Sequence, residues 1–123
     1  MMSRFFCAGI VAFLCVAAMP NMASAQRAYD GQWSVLIVTQ QGTCDRAYRY
    51  GVLIRNGGVY YEGGMVNFTG RVAPNGAVRV RVTAGNAFAN GSGRLNRNAG
   101  RGQWTGRSGP DLCAGYWTAE RRG

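Results

Sequence analysis

From Trp33 onward the chain alternates between apolar and polar positions with a period of two. Trp33, Val35 and Ile37 share one face of a first strand, and Tyr48, Tyr50, Val52 and Ile54 share one face of a second, with Arg49 and Arg55 on its other side. Asn56-Gly57-Gly58 then supplies the positive backbone angles of a tight hairpin, and Val59-Tyr60-Tyr61-Glu62 returns as a third strand until Gly63-Gly64 turns the chain again. The fourth strand carries Val66, Phe68, Gly70 and Val72 on one face and Asn67, Thr69 and Arg71 on the other. Pro74-Asn75-Gly76 joins it to a fifth, in which Val78, Val80 and Val82 alternate with Arg79 and Arg81. Fainter strands are expected over Ala87 to Leu95, Gly102 to Arg107 and Ala114 to Arg121, divided by Asn96 to Gly100 and Ser108 to Asp111.

No segment after Gln26 keeps a helical spacing of apolar residues. The pattern predicts an all-β domain, an antiparallel meander of about eight strands that closes as a small barrel or, as the alternative, folds as a β-sandwich. Closure removes the free edges of the sheet, and glycines such as Gly91, Gly93, Gly100, Gly102 and Gly106 suit sharp bends or a bulky neighbour such as Trp104. An eight-stranded barrel either fills with its own side chains or holds one small ligand, and the shortness of the chain favours the filled core.

The first residues change the picture in one respect. Met1-Met2-Ser3-Arg4, the uncharged apolar run Phe5 to Met19, Pro20 and the small residues Ala23-Ser24-Ala25 have the layout of a signal peptide cleaved before Gln26. The run is shorter than a membrane-spanning helix requires, so no transmembrane segment is expected after processing. Removing residues 1–25 from the 123 leaves 98, residues 26–123, enough for one domain. An exported location follows, periplasmic or extracellular. Two of the four cysteines leave with residues 1–25, and the remaining pair, Cys44 and Cys113, reads as a disulfide in that setting.

Composition excludes several chemistries. The chain has no histidine, and all fourteen of its basic residues are arginine. There can be no histidine-based triad, no lysine Schiff base and no imidazole metal site, and paired cysteines leave no thiolate ligand. No metal and no cofactor is expected. The acids Asp30, Asp45, Glu62, Asp111 and Glu120 stand mostly in turns and at strand ends, where they serve the turn rather than acid–base catalysis, so no enzyme is expected.

After processing, 13 arginines face five acids, a net charge of +8. Such a balance favours anionic partners, namely anionic polysaccharide, lipopolysaccharide or nucleic acid, because a guanidinium makes bidentate contacts to carboxylate and phosphate. Arg71, Arg79 and Arg81 fall on the polar side of one hairpin and are the first candidates for anion binding, with Arg49 and Arg55 as an extension and Tyr60 as an outward aromatic contact. The alternative partner is a protein, for instance a secreted hydrolase inhibited by a loop such as Gly57-Gly58 or Asn96 to Gly100. Trp33, Trp104 and Trp117 are expected in the core. The sequence does not specify an oligomeric state.

Asp30-Gly31-Gln32-Trp33 at the first strand, with Arg121 and Arg122 after the last, resembles the calycin pattern. That resemblance implies a barrel closed at one end by the tryptophan with a late arginine packed over it. It implies no ligand, since the long capping loop and terminal helix of calycins are missing here. The same opening with a nearby cysteine also resembles small periplasmic inhibitors of secreted metalloproteases in bacteria, from which this chain departs in the wide separation of Cys44 and Cys113. As a whole the chain resembles small exported bacterial proteins, a resemblance that implies no activity.

Overall fold

The computed structural model describes residues 27–123; the expected signal peptide, residues 1–25, lies outside the described residues. Eight strands follow in chain order: β1 (Gly31–Gln41), β2 (Ala47–Arg55), β3 (Gly58–Tyr60), β4 (Asn67–Val72), β5 (Ala77–Ala84), β6 (Ala87–Leu95), β7 (Ala99–Ser108) and β8 (Asp111–Arg121). Each pairs antiparallel with the next, and β8 pairs with β1, so the sheet is a closed barrel and not a sandwich. The period of two carries through closure. Trp33, Val35 and Ile37 of β1 stand level with Val52, Tyr50 and Tyr48 of β2 on one side and with Arg121, Ala119 and Trp117 of β8 on the other, all on the inner face.

Three strands differ in length from the expectation. β3 ends at Tyr60 because Tyr61 leaves the ladder, its ring packing 5.2 Å from Tyr50 and 5.0 Å from Phe68. β7 and β8 are longer than expected: inward Gly100, Gly102 and Gly106 leave the period of β7 unmarked, and β8 starts early because Asp111, Leu112 and Cys113 pair with Ser108, Arg107 and Gly106. The glycines make room for tryptophan. A methyl group on Gly93 or Gly102 would lie 2.6 Å from the ring of Trp117, and one on Gly115 would lie 3.0 Å from the indole nitrogen of Trp104. Two indoles thus supply the apolar mass that these three strand positions lack.

Each tryptophan is also held through its N–H. Trp33 donates to the Tyr29 carbonyl (2.8 Å), Trp104 to the Val38 carbonyl (3.0 Å) and Trp117 to the Ser92 carbonyl (3.2 Å). A bulge at Gln40, between the pairs Thr39–Gly115 and Gln41–Ala114, interrupts the ladder beside Val38. These bonds satisfy the one polar atom of each ring and so offset the cost of taking it out of water.

The two barrel ends differ. At the end bearing the β2–β3, β4–β5 and β6–β7 turns, Trp33 is 1% exposed and packs with Val52, Ile54, Val59, Val72, Val78 and Leu95. Arg121 seals it from outside: its guanidinium carbon lies 4.8 Å from the Trp33 ring, and its nitrogens donate to the carbonyls of Ala28, Asp30 and Arg97. The opposite end carries the β1–β2, β3–β4, β5–β6 and β7–β8 connections, and there the Cys44–Cys113 disulfide ties the β1–β2 loop to β8. Arginines at mid-strand face outward and apolar residues inward, the reverse of the apolar-outside arrangement of a barrel in lipid.

Candidate functional site

Above the packed end the interior is open. Val35, Ile37, Tyr50, Phe68, Val80, Val82, Ala84, Ala87 and Ala89 point inward yet are only partly buried, because they surround a cavity of about 560 Å³. The filled core expected from chain length is therefore confined to the closed end. The volume falls within the roughly 300–1,000 Å³ of small-molecule sites. Its cause is the small size of inward residues on β5 and β6, where Ala84, Ala87, Ala89 and Gly91 line the space that leucine or phenylalanine would fill in an eight-stranded barrel.

The cavity has two kinds of wall. Trp104 and Trp117 line it on the β7–β8 side, and valines 78, 80 and 82 on the β5 side. Facing these is an aromatic ladder in which Tyr50 sits 4.6 Å from Tyr48 and 5.2 Å from both Tyr61 and Phe68. Burial raises the pKa of the Tyr50 phenol above its ordinary value of 10.0, with smaller contributions from Tyr48, Tyr61 and Asp45. Polar and charged groups gather at the mouth, where Thr39, Thr43, Asp45, Arg107 and Ser108 border the opening. An apolar interior with hydrogen-bonding groups at its rim holds a ligand by desolvation and orients it from one end.

Three of the five acids make side-chain contacts within the fold. Asp30 accepts from the Asn56 N–H, Asp111 accepts from the Thr43 hydroxyl (2.7 Å) and Glu120 pairs with Arg122 (3.3 Å). Among the described residues no cluster of His, Cys, Asp or Glu could hold a metal ion.

The expected anion-binding residues all lie on the outer face. Arg71 and Arg79 are direct cross-strand neighbours, Arg81 follows two residues along β5, and Arg55 is joined to Arg71 through Gly58, which pairs with both. Arg49 is not part of this group: it stands opposite Leu36 and donates to the Ser34 hydroxyl on the β1 side. Tyr60 faces out, 54% exposed, with its ring over Gly58. The loops considered for a protein target are tied down, since Gly57 and Gly58 are buried and the Arg97 and Asn98 carbonyls accept hydrogen bonds from Arg121.

Sequence reasoning weighed a ligand-holding interior but favoured a filled one, and it missed two arginines. Arg94 and Arg101, on β6 and β7, are cross-strand neighbours in their turn. The signal for them lay in the glycine-rich segment, where Gly91, Gly93, Gly100 and Gly102 read as bends rather than as the inner face of two strands. No protein-family model, curated protein or solved structure matches the chain.

Proposed function

We propose that this is an exported, non-enzymatic binding protein that holds a small apolar molecule inside its barrel. The observation that carries the reading is the cavity: about 560 Å³, lined by tryptophan, tyrosine, phenylalanine and valine, and open at one end. Burying apolar ligand surface there gains about 25 cal/mol per Å² before the cost of immobilising the ligand, enough for micromolar affinity with a molecule of modest size. Tyr50, a neutral phenol that lines the cavity, donates its hydroxyl hydrogen to orient a ligand oxygen near the mouth. Export accounts for the disulfide, and a disulfide at the mouth holds the entrance in shape.

The test uses N-phenylnaphthylamine, a neutral apolar fluorophore, with the oxidised protein of residues 26–123. Binding is expected to enhance probe emission and quench Trp104 and Trp117, and Gly91→Leu is expected to weaken it by about tenfold or more, since the leucine occupies the cavity. Equal binding by the parent and Gly91→Leu proteins, or none by either, overturns the proposal.

A further inference from the structure

The charge is divided between two halves of the barrel. Between Gly63 and Pro110, the stretch that forms β4–β7, the chain has seven arginines and no acid, whereas the rest of residues 26–123 has six arginines against five acids. Each of these four strands pairs with the next, so they form one contiguous wall. An arginine bias arising from composition alone would leave acids interspersed on both halves.

The wall has internal order. Arg71 stands beside Arg79, Arg94 beside Arg101, and Arg79 and Arg94 are linked through Ser92, which pairs with Arg79 and lies two residues before Arg94. Two pairs of like charges directly opposed cost stability, and among the described residues the only ion pair is Arg122–Glu120, on the other half. Arg81 is held in place, its guanidinium 4.8 Å from the Phe88 ring and 3.3 Å from the Asn90 side-chain oxygen. Exposed Asn90, Ser92 and Gln103 lie between the arginines as uncharged hydrogen-bonding groups.

We infer that the outer face of β4–β7 is a docking surface for an acidic polysaccharide, whose carboxylates pair with Arg71, Arg79, Arg81, Arg94 and Arg101 and whose hydroxyls bond to the side chains between them. The surface chemistry selects this partner over other polyanions. Single-stranded nucleic acid is gripped by a row of exposed aromatics interleaved with the cations, whereas here the exposed Tyr60 and Tyr116 stand only at the two edges of the wall, over Gly58 beside Arg71 and opposite Gln103, and Tyr48 lies on β2. A lipid surface takes apolar side chains into its interface, and the exposed Met65 and Leu112 lie outside β4–β7. A convex, polar wall about 14 Å across its four strands suits a flexible polymer that drapes over it. This surface lies outside the cavity and is independent of it.

The experiment measures retention of oxidised residues 26–123 on immobilised polygalacturonate as salt is raised. Two variants remove the same charge: Arg71→Gln with Arg79→Gln and Arg94→Gln on the wall, and Arg27→Gln with Arg46→Gln and Arg49→Gln elsewhere. At roughly twofold per exposed ion contact, the wall variant is expected to bind about tenfold more weakly and the other to stay within about twofold of the parent. N-phenylnaphthylamine binding is unchanged in both, which separates this result from the cavity reading. Equal loss in the two variants, no retention of the parent, or easier displacement by single-stranded DNA or phosphatidylglycerol vesicles than by soluble polygalacturonate overturns the inference.

Discussion

Gly91 and Gly102 both face inward on neighbouring strands, and the structure assigns them opposite responses to a side chain. A methyl group on Gly91 would meet nothing closer than 3.6 Å, the Trp117 indole nitrogen, whereas one on Gly102 would collide with the Ser92 carbonyl and lie 2.6 Å from the Trp117 ring. Replacing Gly91 by leucine removes the entropic handicap of a strand glycine, about 0.5–1 kcal/mol, and adds up to about 1.5–3 kcal/mol of apolar burial. Ordering the leucine costs about 0.5–1 kcal/mol, and the open mouth leaves part of it wet, so the net gain is about 1–2 kcal/mol. For a domain of this size that raises Tm by roughly 4–16 °C. Gly102→Ala is expected to lose about 1–3 kcal/mol through overpacking. Urea unfolding followed by tryptophan fluorescence measures both. If Gly91→Leu is destabilised as much as Gly102→Ala, side chains already fill the interior and the cavity reading fails.

Other outcomes follow from the seal, the phenol and the cross-link. Arg121→Lys keeps a positive charge but cannot reach the carbonyls of Ala28, Asp30 and Arg97 together, so it should lose about 1–3 kcal/mol in chemical denaturation, and a loss below about 0.5 kcal/mol would show the fork to be dispensable. Because the Tyr50 pKa is raised in the folded state, its contribution to stability is full below the unfolded value of 10.0 and is lost as pH rises through the folded value. A tyrosinate absorbance titration should show one phenol ionising late, and Tyr50→Phe should abolish that step and flatten the alkaline loss of stability. Replacing Cys44 and Cys113 by alanine opens a cross-link between residues 69 apart and should cost about 4 kcal/mol in urea unfolding; no change in the midpoint would place the effect elsewhere.

The strands with inward valine, tyrosine and tryptophan were legible to within a few residues, and so were their hairpins: Asn56 and Gly57 take the left-handed angles (φ 49° and 80°) that the Asn-Gly-Gly sequence implies. β7 was legible only in part. Its period is written in absences, since three of its inward positions are glycine, and an absent side chain looks the same in a bend as under an indole from β8. The cavity was illegible for a related reason. Chain length bounds how much core can exist, but where it concentrates depends on which inward residues share a level around the barrel, and that level is set by strand stagger. The Arg71–Arg79 neighbourhood followed from one hairpin, whereas Arg94 and Arg101 joined it only once register across β5, β6 and β7 was known.

The position of the disulfide bears on how the chain reaches this structure. Closure requires β1 to find β8, the pairing between the most distant strands in the sequence, and such long-range pairing is the slow part of folding a β-barrel. Cys44 and Cys113 lie just beyond the last bridge of that seam, Gln41 with Ala114. Once they are joined, the seam becomes in effect a hairpin whose turn is the disulfide, and it can zip from Gln41–Ala114 towards Trp33–Arg121 without a diffusive search. Oxidation thereby converts the barrel's most remote contact into a local one.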